Sequence, residues 1–169
     1  MYITEKYWGG LIGGSDDSLT LVEHLAGKQK EEVPFGEIFS DFGLDRLHGE
    51  FREPEIPLAY EDPEGWEVSI YSAIGLIADL AALLLECKEN GSVDLNMLFF
   101  GEDEEGSLDT RVPVVTITAA PEEHRLVNQA LMDFAREPLA YGLGELETEE
   151  DILELAALCG ELRKELYEE

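Results

Sequence analysis

The most apolar run of the sequence, residues 70–85, restricts the folds that the chain can adopt. Its aliphatic residues recur at helical spacing and extend round the other side of the predicted helix, and a helix that is apolar on all sides is normally buried. Asp79 lies inside the run, which is shorter than the roughly 18 apolar residues that would indicate a membrane span. The sequence therefore predicts a helix over about residues 66–87 at the centre of the fold, and no membrane association.

Four other segments have the spacing or the end signals of amphipathic helices. One is predicted to begin near Ser18 and to end at Gly27, and another to begin at Pro34, since proline is favoured at the first helical position. A third helix is predicted from Pro121 and the last from Thr148, where Thr-Glu-Glu-Asp has the pattern of a capping box. Two of these helices carry apolar residues at i, i+3, i+4 and i+7: Phe35, Ile38, Phe39 and Phe42 in one, Val127, Ala130, Leu131 and Phe134 in the other.

Strand signals follow the central helix. Residues 93–100 alternate apolar and polar side chains, and residues 112–119 are rich in β-branched residues, so an antiparallel hairpin with a long acidic loop is predicted. Residues 139–143 are predicted as a further short strand, and the acidic, proline-containing residues 44–65 as a loop. Together these elements predict an α+β fold: a helix-rich single domain over residues 1–169, with the central buried helix packed against a small antiparallel sheet.

Acidic residues dominate the charge of the chain, with 39 Asp and Glu against 11 Lys and Arg and a formal net charge of -28. Highly charged chains are often disordered, but 7 Phe, 6 Tyr, 2 Trp and a hydrophobic fraction of 44% can supply a core here. The field of such a protein repels nucleic acid, anionic lipid and phosphorylated ligands, and it attracts basic surfaces. The sequence therefore predicts a basic protein as partner, and neither nucleic acid nor a membrane.

No segment carries a complete metal, phosphate or catalytic motif. Placing Gly106 at position 6 of a calcium loop leaves Gly101 and Val112 at positions that require carboxylates. The glycine-rich residues 9–14 lack the Gly-Lys-Ser/Thr of a phosphate loop and continue with acidic residues, so a structural turn is predicted. We expect no cofactor and no catalytic residue, and a metal site assembled from residues distant in sequence stays open.

The histidines and cysteines show no spacing typical of a functional site. His24, His48 and His124 are never four residues apart, as a helical zinc site requires. Cys87 and Cys159 both fall on apolar faces of predicted helices, where a thiol is typically buried and unreactive. Two cysteines without paired spacing indicate neither a disulfide framework nor a zinc site. Because the first residues also lack a secretory signal, a reducing, cytoplasmic location is predicted.

The first hypothesis for function is an inhibitor or immunity-type protein whose acidic surface covers the basic active site of a nuclease or another cationic toxin. Charge complementarity would speed association, and opposed carboxylates would imitate the phosphates of a nucleic acid. The candidate partner-binding residues are the acidic clusters Glu102, Asp103, Glu104, Glu105, Glu61 and Asp62, with Asp16 and Asp17 as further candidates. The alternatives are an enzyme with a dispersed carboxylate and histidine site, and a general acidic adaptor or nucleic-acid mimic.

Residues 7–18, YWGGLIGGSDDS, support the first hypothesis by similarity. This stretch resembles the openings of small, acidic, cytoplasmic bacterial proteins that are grouped with the immunity proteins of polymorphic toxin systems. The resemblance covers the first quarter of the chain, together with its overall size and charge. It implies neutralisation of a toxin by direct binding and no catalysis, and it assigns no role to an individual residue.

Overall fold

A computed structural model describes residues 1–52, 58–61, 64–101, 106–145 and 147–168 of the chain. Its longest buried element is helix α4 (Ala73–Asn90), and the remaining helices are α1 (Tyr2–Lys6), α2 (Asp16–Lys28), α3 (Phe35–Asp41), α5 (Leu95–Phe100), α6 (Pro121–Arg136) and α7 (Glu149–Tyr167). Short 3-10 helices span Leu44–Leu47, Pro138–Tyr141 and Leu143–Glu145. The strands are β1 (Trp8–Gly10), β2 (Ile12–Gly13), β3 (Glu32–Pro34), β4 (Leu58–Glu61), β5 (Glu67–Ile70), β6 (Val93–Asp94) and β7 (Val114–Thr118).

The central position of α4 is confirmed. Every residue from 76 to 86 is buried, and the helix packs against α1, α2, α6 and α7. The helix begins at Ala73 and not near residue 66, because the Ser72 hydroxyl accepts a hydrogen bond from Gly75 N (2.9 Å) and caps the first turn. It ends before Gly91, whose left-handed φ of 86° is typical of a glycine after a helix. No helix within the described ranges is both long and apolar enough to cross a membrane.

A three-stranded sheet, in the order β3-β7-β6, packs against the helices. β6 and β7 pair antiparallel, with Val93 opposite Val115, as the predicted hairpin requires. β3, which the sequence patterns do not indicate, joins the other side of β7 in parallel, with Val33 opposite Ile117. The α+β fold class is confirmed, and β3 makes this small sheet a mixed one.

Residues 95–100 form helix α5, so the strand predicted over residues 93–100 is wrong beyond Asp94. The Asp94 carboxylate accepts hydrogen bonds from the backbone N–H groups of Asn96 (3.0 Å) and Met97 (3.3 Å) and therefore caps a helix at this point. Leu95 and Leu98 are the buried residues of that helix. A local cap thus outweighs an apolar alternation that has the period of a strand.

Two predictions for irregular regions are also wrong. The described part of residues 44–65, which were predicted as a loop, contains a 3-10 helix and β4, and β4 pairs antiparallel with β5 in a hairpin. Residues 53–57 and 62–63 of that predicted loop lie outside the described part of the chain. β5 occupies residues that the sequence assigned to the central helix. The strand predicted over residues 139–143 is absent from the described structure, and two 3-10 helices stand in its place. The hairpin contacts the core through Leu58, Tyr60 and Ile70, which are buried.

The glycine-rich residues 9–14 form a structural turn, as predicted. Gly13 has a left-handed φ of 81°, and a Cβ atom at this position would overlap the Trp8 ring. The Trp8 indole N–H donates a hydrogen bond to the Leu98 carbonyl (3.1 Å), which fixes the ring over the turn. The turn leads directly into α2, whose N-cap is Ser15, three residues before the start that the sequence predicts.

Candidate functional site

The structure separates the predicted partner-binding residues into different environments. Asp16, in the first turn of α2, and Glu61, at the end of β4, are exposed, whereas Asp17 is only 4% exposed. The other predicted residues lie outside the described part of the chain: Glu102, Asp103, Glu104, Glu105 and Asp62. Among the predicted residues that the structure describes, Asp16 and Glu61 therefore lie on the surface.

Asp17 fastens the end of the hairpin to the start of α2. Its carboxylate accepts hydrogen bonds from the backbone N–H of Tyr71 (3.1 Å to each oxygen) and from that of Ser72 (2.9 Å). Burial raises the pKa of this carboxyl, and the two backbone donors act in the opposite direction. Asp17 therefore positions Tyr71 and the N-cap of α4, while its contact with a partner stays a prediction.

A cavity of about 200 Å³, which we name the Tyr71 pocket, lies beside these contacts. Carboxyl groups and apolar side chains share its lining: Asp16, Asp17, Asp79 and Glu147 with Leu11, Leu143, Leu155 and Tyr71. Asp16 and Glu147 are exposed to solvent, while Asp17 and Asp79 are buried. A lysine or arginine side chain combines an aliphatic stem with a charged head, so this lining matches a basic side chain in both respects.

Asp79 of α4 holds the glycine-rich turn and the start of α2 against the central helix. Its carboxyl group accepts hydrogen bonds from Gly13 N (2.9 Å) and from the Ser18 hydroxyl (2.6 Å). The side chain is 2% exposed, and this burial raises the pKa of Asp79 to about 7 although both donors lower it. The lining of the Tyr71 pocket therefore contains a carboxyl group that changes charge near neutral pH.

The β4–β5 hairpin turns one face to the core and the other face outward. Its outward side, which we name the hairpin face, consists of Ala59, Glu61, Glu67, Ser69 and Tyr71. Tyr71 is 62% exposed and also lines the Tyr71 pocket, so the face and the pocket form one continuous surface. Sequence reasoning missed this surface because it assigned residues 67–71 to the central helix. The alternation of polar and apolar side chains in residues 67–70, Glu-Val-Ser-Ile, is the signal that would have identified its second strand.

His24 joins three elements through a chain of polar contacts. Its ring nitrogens contact the Tyr60 hydroxyl (2.7 Å) and the Asp41 carboxylate (2.9 Å), and Lys28 pairs with the same carboxylate. Burial lowers the pKa of His24, and the neighbouring Asp41 opposes this change. These contacts tie α2 to α3 and to the hairpin. In the part of the chain that the structure describes, no group of three or more His, Cys, Asp or Glu side chains is arranged to hold a metal ion.

Both cysteines pack against the core, as predicted. Burial raises the pKa of Cys159 to about 12, and burial also raises the pKa of Cys87. Such thiols stay protonated at neutral pH, and it is the thiolate that acts as nucleophile. The structure therefore gives neither cysteine the environment of a reactive thiol.

The sequence matches the family model Immunity protein 68 over residues 2–166. The chain belongs to this family. The match covers nearly the whole chain, so restricting the similarity to the first quarter was wrong. The matched range includes the hairpin face and the Tyr71 pocket. No curated protein and no solved structure matches the chain.

Membership in an immunity-protein family indicates a toxin-neutralising function and implies a cognate toxin as partner. Neutralisation by contact requires an accessible surface. Within the described residues, the hairpin face and the Tyr71 pocket place exposed carboxylates beside an exposed aromatic ring. Aromatic rings are enriched at protein interfaces, and exposed carboxylates attract cationic groups.

Proposed function

We propose that this protein neutralises its cognate toxin by binding it directly, without catalysis, and that the toxin presents a basic surface. The observation that carries the proposal is the family match over residues 2–166. The net charge of -28 supports the basic character of the toxin, because oppositely charged surfaces associate faster and more selectively. Carboxylates on such a surface can also occupy the phosphate-binding positions of a nuclease, which would be one class of basic toxin.

Ion pairs inside the protein engage several of its few cations. Lys28 and Lys30 contact Glu37 (3.4 and 2.8 Å), and Lys6 contacts Glu165 (3.2 Å). The excess carboxylates therefore give the surface a field of predominantly one sign. Such a field accelerates the approach of a cationic partner, and salt weakens it over a distance of about 8–10 Å near physiological ionic strength.

The proposed contact surface includes the exposed residues Asp16 and Glu61, together with Asp62 and the acidic residues 102–105, which lie outside the described part of the chain. Asp17 contributes indirectly, because its buried carboxylate accepts hydrogen bonds from the backbone N–H of Tyr71 and so fixes the position of that residue. Exposed carboxylates of this kind steer a basic partner, whereas packing at the interface centre determines how long it stays bound.

A binding role in the cytoplasm agrees with the chemistry of the described side chains. Cys87 and Cys159 are free thiols, and free thiols persist in a reducing compartment. Their raised pKa values disfavour nucleophilic catalysis by either one. His24 already contacts polar groups through both ring nitrogens, so its neighbours occupy the positions at which it would exchange a proton.

A tagged copy of the protein, recovered from the native host and washed at high salt, tests this proposal. Co-purifying proteins are identified by mass spectrometry. One basic protein retained in near-equal amount would support a cognate toxin, because interface packing resists salt and charge attraction alone does not. A mixture of cationic proteins that salt removes would favour a general acidic adaptor. Recovery of a stoichiometric divalent ion without any protein would favour the enzyme hypothesis.

A further inference from the structure

We propose that the hairpin face is the docking surface for a cationic segment of the toxin, with Tyr71 as its aromatic anchor. This inference rests on the proposed function and goes beyond it by assigning the contact to one face of the molecule. The face belongs to a two-stranded sheet, β4–β5, whose inner side packs on the core through Leu58, Tyr60 and Ile70. Its outer side has no covering element among the described residues.

The strand register places two like charges directly opposite each other on this face. Glu61 pairs with Glu67 across the hairpin, and both residues are exposed. Side chains at paired positions have Cβ atoms about 4.5–5.5 Å apart, where two carboxylates repel each other. Among the described residues, no lysine, arginine or histidine forms an ion pair with either glutamate. The isolated protein thus maintains an unfavourable pair whose repulsion one arriving cation would offset.

Arginine is the side chain that fits this glutamate pair best. Its planar guanidinium group has five N–H donors, which can contact two carboxylates at once, whereas lysine provides a single compact charge. Removal of the repulsion between Glu61 and Glu67 adds to the attraction of the cation for each of them. The face therefore favours an arginine-containing segment over a surface that carries only isolated lysines.

Tyr71 offers a partner an apolar surface to pack against, which the two glutamates do not. The aromatic side chain is 62% exposed, yet its backbone N–H is held by both oxygens of the buried Asp17 (3.1 Å each), and the next residue, Ser72, is held by the same carboxylate (2.9 Å). An exposed ring on a fixed backbone binds with little loss of conformational freedom, and tyrosine is enriched among residues that dominate interface energies. The ring can also contact a cation through its face.

Charge decides which occupant the face favours. A nucleic acid or an anionic membrane would meet the net charge of -28 and be repelled, and so would a second copy of this chain.

The length of the surface suits an extended segment of the partner. Glu67 and Tyr71 are four residues apart on one side of an extended segment, or about 13 Å at the rise of a β-strand. The Tyr71 pocket extends the acidic surface beyond the ring with Asp16 and Glu147. A cationic segment several residues long matches both the charge and the length of this surface.

The test compares two double variants that remove the same charge. Glu61→Gln with Glu67→Gln alters the hairpin face, and Glu154→Gln with Glu161→Gln alters two exposed positions on α7. Affinity is measured for the toxin recovered in the pull-down, alongside the melting temperature of each variant. We expect the hairpin variant to bind at least about tenfold more weakly and the α7 variant to lose less than about threefold. The hairpin variant should melt no lower than the original protein, because it loses a like-charge repulsion.

Tyr71→Ala, which keeps the backbone bonds to Asp17, should also weaken binding at least about tenfold. Equal losses in the two double variants would overturn the inference, since they would show that only the overall field matters. Unchanged binding by the hairpin variant would overturn it as well.

If the pull-down yields no toxin, the proposed function fails, and a synthetic hexa-arginine peptide then tests the surface separately. Amide resonances of the intact protein are followed by NMR as this peptide is added. Shifts concentrated in residues 58–61 and 64–72 would support docking on the hairpin face. Shifts of similar size over the acidic surface in general would overturn it.

Discussion

Replacing Asp79 with asparagine is expected to remove a pH dependence of stability that this buried carboxyl group creates. The substitution preserves size and can preserve both hydrogen bonds. The amide oxygen of Asp79→Asn accepts from Gly13 N, and its NH₂ group donates to the Ser18 hydroxyl, which then donates to the Ser15 hydroxyl 2.9 Å away. The variant therefore tests the charge of the group with little change in packing.

The expected magnitude follows from the pKa of Asp79 in the folded protein. That pKa is about 7, compared with an ordinary value of 3.8, so ionisation of the buried group costs about 4 kcal/mol of the free energy of unfolding. The folded state binds this proton more tightly than the unfolded state. The contribution of Asp79 to stability is therefore greatest below pH 4, falls as the pH rises to about 7, and levels off above that. Roughly 2.5 kcal/mol of the loss should occur between pH 5 and pH 8.

Urea unfolding at constant ionic strength, repeated from pH 5 to pH 8, measures this effect. Asp17 also has a raised pKa, so both proteins keep some pH dependence and the difference between them is the informative quantity. The stability of the variant relative to the original protein should rise by about 2.5 kcal/mol over this range. Asp45→Asn, which removes one exposed carboxylate, controls for net charge. A difference that stays constant with pH would show that Asp79 does not gain its proton more readily in the folded protein than in the unfolded chain.

Two further predictions concern the turn and the thiols. Gly13→Ala should lower the free energy of unfolding by about 3 kcal/mol in urea titrations, because φ is 81° and the new Cβ overlaps Trp8. Gly27 lies in α2 with no atom near the position of a new Cβ, so Gly27→Ala should raise the free energy of unfolding by about 0.5 kcal/mol. Equal changes in the two variants would contradict the left-handed conformation and close packing of Gly13. With a disulfide reagent at pH 8, Cys159 should react only as the protein unfolds, and Cys87 should react more slowly than a free thiol. Rapid labelling of Cys159 in the folded protein would contradict its burial.

Sequence patterns predicted the elements whose signals are local. The apolar run at residues 70–85 identified the buried central helix, and Thr148 caps α7 by accepting a hydrogen bond from Asp151 N (3.2 Å), as the capping-box pattern indicated. The i, i+3, i+4, i+7 spacing also identified the buried side of α6, where Val127, Ala130, Leu131 and Phe134 lie. Periodicity and caps are properties of a few neighbouring residues, so they can be read without knowledge of the fold.

Elements that depend on distant partners were missed. β3 is three residues long and is defined by pairing with β7, far along the chain. The hairpin was divided between a predicted loop and the predicted central helix, although β4 and β5 are paired throughout. Short strands gain their stability from neighbours and not from their own residues, so a pattern of three or four side chains rarely identifies them.

The candidate site depends on the same long-range contacts. The sequence indicated Asp16, Asp17 and Glu61 as acidic residues, but it could not show that Asp17 is buried beneath Tyr71 while the other two are exposed. It also could not place Glu61 opposite Glu67. The burial of Asp17 follows from the contact between α2 and the end of the hairpin, and the Glu61–Glu67 pair follows from the register of the two strands. Both are properties of the folded chain.

Neutralisation by binding and not by catalysis can be tested by titrating the toxin recovered in the pull-down with this protein. Residual toxin activity is measured at each ratio, with toxin concentration well above the dissociation constant of the complex. If the protein acts by binding, toxin activity falls linearly and reaches zero at a fixed whole-number ratio of the two proteins. Complete loss of activity at a small fraction of one equivalent would show turnover, and undiminished activity in excess protein would show that binding does not neutralise; either result would rule out neutralisation by stoichiometric binding.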